Sequence, residues 1–210
     1  MMVKICGITN REDALAAIDQ GAAALGFNFY PGSPRYISPD EAAAIAAGLP
    51  AGVWKVGVFV DESPEVVLRT AQRVCLDIAQ LHGSESPEQY PRSMRVWKAI
   101  RVAGQAFSVP DGPAEAVLLD GPASGHVFDW ALAAVNPAGR PGRPPDPEGT
   151  PASLPHLILA GGLDAGNVRA AIEQVHPWGV DACSQLERSP GRKDHFKMAA
   201  FLKAALAASR

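Results

Sequence analysis

A helix-start signal recurs four times early in this chain, each time shortly after an apolar run. Thr9-Asn10-Arg11-Glu12 reads as a capping box, with Thr9 as N-cap and Glu12 reaching back to it. Ser38-Pro39-Asp40-Glu41 repeats the box with proline in the first helical position, where a missing N–H costs nothing. Ser63-Pro64-Glu65 and Ser86-Pro87-Glu88-Gln89 follow the same pattern. Behind these starts the apolar residues fall at helical spacing: Leu15 with Ile18, and Val67 with Ala71 and Val74. The runs in front are short, apolar and rich in β-branched residues. Met2 to Ile5, Ala24 to Phe29, Val53 to Val60 and Leu76 to Leu81 read as strands, as do Arg95 to Ile100, Ala116 to Leu119, His156 to Ala160 and Gly179 to Ala182. Strands apolar on both faces, alternating with helices, belong to a parallel sheet. Eight such units in 210 residues predict an α/β fold, a single compact (β/α)8 barrel spanning 1–210. A doubly wound open sheet is the alternative that the alternation allows.

Two stretches break the rhythm. Little helical signal lies between Ile100 and Ala116, so the fifth helix is expected to be short or missing. From Asn136 to Pro155 the chain carries seven prolines and three glycines, which no regular helix or central strand accommodates. This Pro/Gly-rich insertion, at about 136–155, falls between the sixth helix and the seventh strand. In a barrel that places it on the face away from the chemistry.

Charge and cysteine usage remove several functions. Nineteen basic against 22 acidic residues give a net charge of −3, with no basic excess for nucleic acid. No apolar run approaches the roughly 18 residues of a membrane helix, and Met1 to Lys4 runs directly into a strand, so no signal peptide is expected. Cys6, Cys75 and Cys183 are odd in number and match no zinc spacing, which suits free thiols in a reducing cytoplasm.

In a barrel the chemistry gathers at the C-terminal ends of the strands. Cys6 ends the first strand. Lys4 lies two residues before it on the same side, about 6–7 Å below, where its charge favours thiolate unless Asp181 or Asp120 neutralises it. After the seventh strand, Gly161-Gly162-Leu163-Asp164 reads as a glycine pair and an N-cap, a place where backbone N–H groups meet phosphate. Cys183 and Ser184 follow the eighth strand as the second arm of such a site. Arg35, in the stiff loop Pro31-Gly32-Ser33-Pro34-Arg35, suits a carboxylate by bidentate pairing. His82 follows the fourth strand and either lines the pocket or caps a turn. Asp181 lies within the eighth strand as a buried hydrogen-bonding group, and Asp129 follows the sixth, where helix capping is its ordinary use.

Taken together, Lys4-Ile5-Cys6-Gly7-Ile8-Thr9, Ser33-Pro34-Arg35-Tyr36-Ile37, Gln80-Leu81-His82-Gly83, Phe128-Asp129-Trp130, Leu159-Ala160-Gly161-Gly162-Leu163 and Ser189-Pro190-Gly191-Arg192-Lys193-Asp194 resemble phosphoribosylanthranilate isomerase. The resemblance runs through nearly the whole chain in order and leaves out only the Pro-rich insertion. It implies a (β/α)8 barrel of tryptophan biosynthesis that rearranges N-(5-phosphoribosyl)anthranilate without cofactor or metal. By the same resemblance Cys6 is the general base, Asp129 the general acid, Arg35 a ligand of the anthranilate side, and Gly162 with the loop after the eighth strand the phosphate site. Gly161, Cys183 and Ser184 join the phosphate site and His82 and Asp181 the substrate pocket. The partner is the small phosphosugar-anthranilate substrate alone, and the protein is expected to be a cytoplasmic monomer or homodimer. The chain departs from the family in two places. Cys183-Ser184-Gln185-Leu186-Glu187 stands where Ser-Ser-Gly-Val-Glu is usual, and Pro122-Ala123-Ser124-Gly125 stands in place of a glycine-rich run before Phe-Asp-Trp, with only Gly125 matching.

The chemistry fits an Amadori rearrangement. An acid protonates the ring oxygen as the furanose opens, and a base removes the C2 proton. Two other functions compete. The aminoaldose isomerase of histidine biosynthesis uses two carboxylates and a twofold phosphate site, neither evident in this sequence. A phosphate-binding barrel without activity would have no need of intact Cys6 and Asp129.

Overall fold

The computed structural model describes residues 1–104, 112–123, 125–134 and 155–208. Eight parallel strands close into a barrel in sequence order. They are β1 (Met2–Ile5), β2 (Ala24–Asn28), β3 (Trp54–Phe59), β4 (Ile78–Leu81), β5 (Arg95–Arg101), β6 (Ala116–Asp120), β7 (His156–Leu159) and β8 (Gly179–Ala182). All eight expected runs are strands, and closure between β1 and β8 excludes the open sheet. Around them lie α1 (Arg11–Asp19), α2 (Pro39–Ala46), α3 (Pro64–Val74), α4 (Ala131–Ala134), α5 (Val168–Val175) and α6 (His195–Ala208). A small hairpin, β9 (Glu187–Ser189) with β10 (Arg192–Lys193), precedes α6. Among the described residues no helix is long and apolar enough to cross a membrane. Nearly all of the Pro-rich insertion lies outside the described residues, and so do residues 105–111 of the stretch where the fifth helix is expected to be short or missing.

The strand side chains alternate between two cores. Val3, Ile5, Leu25, Phe27, Phe59 and Leu81 point outward and pack under the helices. The buried face of α3, Val67, Thr70, Ala71 and Val74, recurs at the three- and four-residue spacing that keeps one side of a helix on the barrel. Met2, Ala24, Val56, Ile78, Trp97, Leu118 and Ile158 point inward and fill the barrel. At its N-terminal end Trp54, Trp97 and Trp178 meet with ring centroids 6.0–6.2 Å apart, Arg95 caps Trp54 at 4.4 Å, and His156 stacks on Trp178 at 4.4 Å. Each aromatic pair adds about 0.5–1.5 kcal/mol beyond area burial. This floor closes one end, so the other is left for the site.

Three helix starts differ from expectation. At α1 the cap is Asn10, whose side chain accepts from the Asp13 N–H at 2.9 Å, while the Thr9 hydroxyl donates to the Gly191 carbonyl instead. At α5 the cap is Asn167, not Asp164; the Asp164 carboxylate closes a turn ahead of the helix by accepting from Gly166 and Asn167 N–H groups. After Ser86 only one 3-10 turn forms, over Pro87–Gln89. Tyr90 precedes Pro91, whose ring pushes it out of the helical region, and its backbone is extended at φ −73°, ψ 136°. The Ser38 capping box and the Ser63 cap form as expected.

Candidate active site

The inward positions change character along the barrel axis. Above the tryptophan floor comes an apolar layer, and above it Asn28, Gln80, His82, Arg101 and Asp120 open on a cavity at the C-terminal mouth. Cys6, Arg35, Asp181, Cys183 and Ser184 line the same cavity, as do Gly161 and Gly162. Eight of the nine expected site residues are therefore brought together by the closure of the barrel. The ninth, Asp129, is not among the lining residues.

The seam between β1 and β8 holds the titratable core. Register pairs Lys4 with Asp181 and Ile5 with Ala182. Lys4, fully buried, donates to Asp181 Oδ1 at 2.9 Å, so of its two expected neutralisers it is Asp181 that takes it. Burial alone would draw the Lys4 ammonium down, but the carboxylate of Asp181 and the sulfur of Cys6 hold it above its ordinary value and keep it charged. Burial pushes the Asp181 carboxyl up to about 7 against the pull of Lys4. One layer higher sits Cys6, with Cys183 beside it on the adjacent strand end. Hydrogen bonding from the Cys183 thiol holds Cys6 well below the ordinary thiol range, with burial opposing and the charges of Lys4 and Lys193 assisting. The same contact, together with burial, pushes Cys183 up, so Cys183 keeps the proton.

A second network braces this seam from the C-terminal hairpin. Arg35 forms a two-pronged pair with Glu187, Nε to Oε1 at 2.9 Å and a terminal nitrogen to Oε2 at 2.8 Å. Lys193, buried, donates to Glu187 Oε1 at 3.1 Å and to the Cys183 carbonyl at 3.2 Å, and lies 3.7 Å from Cys183 Sγ. Burial pushes Glu187 up, but the hydrogen bonds of Arg35 and the charge of Lys193 prevail and hold it below its ordinary range. The guanidinium expected to seek a carboxylate thus has one within the protein. Glu187 and Lys193 have no role in the sequence reading, because Arg35 and Asp13, which they meet, are more than 150 residues distant.

The glycine pair follows β7 with φ +82° at Gly161 and +65° at Gly162, a region that side chains avoid. A Cβ on Gly161 would lie 2.3 Å from the Gly121 nitrogen, and one on Gly162 would lie 2.9 Å from the Gly125 carbonyl oxygen. Only glycine lets the loops after β6 and β7 approach this closely. Asn167 donates to the Gly162 carbonyl at 2.9 Å and fixes the turn from below. After β8, Ser184–Leu186 form a 3-10 turn. Gln185, which stands where the family usually has glycine, donates from Nε2 to the Gly125 carbonyl at 2.9 Å. Gln185 thus meets Gly125, the one residue of the 122–125 stretch that keeps the family's glycine.

His82 Nε2 stands 3.3 Å from Asp120 Oδ2, so His82 lines the pocket rather than capping a turn. Asp120 enters the sequence reading only as a neutraliser of Lys4. It closes β6 and also accepts from the Gly121 N–H at 2.9 Å. The signal that marks it is its place, an acidic residue at the C-terminal end of a barrel strand. Asp129 is exposed and accepts from the Ala131 N–H at 3.0 Å, at the start of α4.

Residues 3–204 match the family model described as N-(5'phosphoribosyl)anthranilate (PRA) isomerase. An N-(5'-phosphoribosyl)anthranilate isomerase of Solibacter usitatus is 50% identical over 99% of this chain and 98% of its own. Among solved structures, the phosphoribosyl anthranilate isomerase of Thermus thermophilus superposes with a TM-score of 0.86 at 40% identity, covering 100% of both chains. A phosphoribosyl anthranilate isomerase in complex with reduced 1-(o-carboxyphenylamino)-1-deoxyribulose 5-phosphate superposes with a TM-score of 0.82 at 39% identity, covering 99% of both.

Proposed function

The chain belongs to the N-(5'-phosphoribosyl)anthranilate isomerase family, and from that premise we propose how its own side chains divide the reaction. The enzyme rearranges N-(5'-phosphoribosyl)anthranilate to 1-(2-carboxyphenylamino)-1-deoxyribulose 5-phosphate, a step of tryptophan biosynthesis. The observation that carries the assignment is Cys6. It stands at the end of β1, on the cavity, with its thiol held well below the ordinary range by its neighbours. A general base works best when its pKa lies near the working pH, and an unperturbed thiol lies above it.

Cys6 takes the C2 proton once the ring has opened. Asp129 gives a proton to the ring oxygen, reaching the sugar from the loop above the mouth. In the free enzyme its carboxylate rests on the start of α4, and catalytic contacts commonly tighten only when substrate is bound. Gly161 and Gly162 from one side and Cys183 and Ser184 from the other receive the phosphate, as loops after the last two barrel strands often do. Arg35 offers the anthranilate carboxylate its outer face while Glu187 holds its inner one. His82 and Asp181 border the sugar. The enzyme acts in the cytoplasm as a monomer or homodimer, on the small molecule alone.

Loss of anthranilate-type fluorescence from supplied phosphoribosylanthranilate measures the reaction. Cys6→Ser and Asp129→Asn are each expected to lower kcat by at least about 10²–10⁴-fold, the usual worth of one acid or base, with little change in KM. Near-native kcat in Cys6→Ser would return Cys6 to a packing role. A larger loss in Asp120→Asn than in Asp129→Asn would move the acid to Asp120.

A further inference from the structure

We propose that Cys6 and Cys183 form a reversible disulfide when a peroxide enters the cavity, switching the enzyme off and sparing its base from irreversible oxidation. The inference rests on the reading of Cys6 as the base. The register that pairs Ile5 with Ala182 brings the two cysteines opposite each other at the ends of β1 and β8, and Cys6 N–H donates to the Ala182 carbonyl at 3.0 Å. Neighbouring strands run about 4.8 Å apart, inside the roughly 4.4–6.8 Å between Cα atoms that a disulfide spans. Both side chains share the inward parity of Lys4 and Asp181, and both line the same cavity. The Cys183 sulfur leans across the seam: a Cβ placed on Gly7 would lie 2.8 Å from it, over the residue that follows Cys6. On the far side a Cβ on Gly26 would lie 2.7 Å from the Cys6 sulfur. Two glycines thus leave the space in which the sulfurs sit. Where the family usually has serine, this chain has the one residue able to resolve an oxidised Cys6.

The chemistry balances with peroxide as the oxidant. The Cys6 thiolate attacks a peroxide oxygen; the S–O bond forms, the O–O bond breaks, and hydroxide leaves to become water. Cys183 sulfur then attacks the sulfur of the Cys6 sulfenic acid. The S–S bond forms, the S–O bond breaks, and the departing hydroxide takes the Cys183 proton as a second water. The two sulfurs lose two electrons, and one peroxide becomes two waters. A readily ionised thiol on a cavity, beside a second thiol, is the arrangement that favours this route over sulfinic acid. Lys193, 3.7 Å from Cys183, eases that thiol's loss of its proton. Cys75 lies exposed at the end of α3, outside the cavity, and serves as an internal control.

The test exposes the whole protein to a small excess of hydrogen peroxide, alkylates the remaining thiols and digests with trypsin without reduction. We expect a linked mass joining the peptides 5–11 and 170–188, with Cys75 recovered alkylated in 74–92. Isomerase activity should fall in step with that linkage and return with dithiothreitol. In Cys183→Ser, Cys6 should instead be recovered as sulfinic acid, and the variant's own starting activity should not return. Cys6 recovered alkylated, or linked to Cys75 as often as to Cys183, would overturn the proposal. So would full recovery of Cys183→Ser with dithiothreitol. If the untreated protein shows no isomerase activity, the functional reading fails, while the linked mass still decides the disulfide.

Discussion

Lys4 Nζ stands 2.9 Å from Asp181 Oδ1, on register partners of β1 and β8, inside the barrel and one layer beneath Cys6. A buried pair of this kind contributes little net stability against an apolar replacement, but losing one member is costly. Its value here is positional, since it fixes a positive charge under the thiol.

Lys4→Met should therefore destabilise the barrel by about 3–5 kcal/mol near pH 8, because an unpaired carboxylate remains inside. Asp181 already has its pKa pushed up to about 7, and without Lys4 it rises further. A raised acid costs stability as pH climbs through its folded pKa, so the deficit should shrink on acidification towards pH 5. Lys4→Met/Asp181→Leu should recover most of the loss. Urea unfolding at both pH values checks this, and a deficit independent of pH would refute it.

Cys183→Ala should move the ascending limb of the kcat/KM profile to higher pH. With Cys6 proposed as the base, which acts deprotonated, the acid-side limb follows it. Hydrogen bonding from Cys183 holds Cys6 down, and removing it lets the thiol rise. The rate of alkylation of Cys6 against pH should shift in the same direction. A limb that stays in place would mean that Lys4 and Lys193 alone set the ionisation.

Arg35→Ala should raise KM and also lower Tm, since Glu187 is buried and loses its two-pronged partner. A charged hydrogen bond is worth about 1.5–3 kcal/mol, which corresponds to roughly ten- to hundredfold in binding if it falls on the substrate side. Arg35→Lys should rescue little, because a single ammonium does not reproduce the fork. An unchanged KM beside a lowered Tm would assign Arg35 wholly to Glu187.

Asp13 ties α1 to the C-terminal segment. It accepts from the Lys193 N–H at 2.9 Å and from Asn10 at 2.6 Å, and meets His195 at 2.8 Å. Burial pushes its carboxyl up, and these hydrogen bonds more than offset it, leaving it below the ordinary aspartate range. A lowered acid contributes stability above its unfolded pKa and loses it as pH falls through the folded one. Wild type should thus exceed Asp13→Asn by about 1.5–3 kcal/mol at pH 7, with the gap closing only below about pH 4. A gap that closes by pH 6 would refute this account.

The eight strands were legible because each is short, apolar and bounded; closure was not, since the same alternation allows an open sheet until β1 pairs with β8. Lys4 and Cys6 were legible as a pair for the same reason, their spacing of two. What local pattern does not carry is which side chain answers across the barrel. Asp181 and Asp120 are equal partners for Lys4 until register chooses Asp181. Glu187 is invisible in sequence as the support of Arg35, because the hairpin folds back on a residue 152 positions earlier, and Lys193 reaches Cys183 across a hairpin turn that no periodic pattern marks. The helix after Ser86 fails on Pro91, two residues past the turn, where the cap signal is sound and the chain behind it is not.

The barrel's closing seam also sets when Cys6 meets the groups around it. Cys6 leaves the ribosome long before its partners: Asp181 is translated 177 residues after Lys4, and Cys183 and Lys193 later still. At about 5–20 residues per second that interval is roughly 9–35 s. Throughout it the nascent chain carries a plain thiol with no seam to sit in. The Cys6 thiol meets the groups that hold it low only when the last strand docks against the first, so a chain cut short of β8 is expected to lack isomerase activity however well its early strands fold.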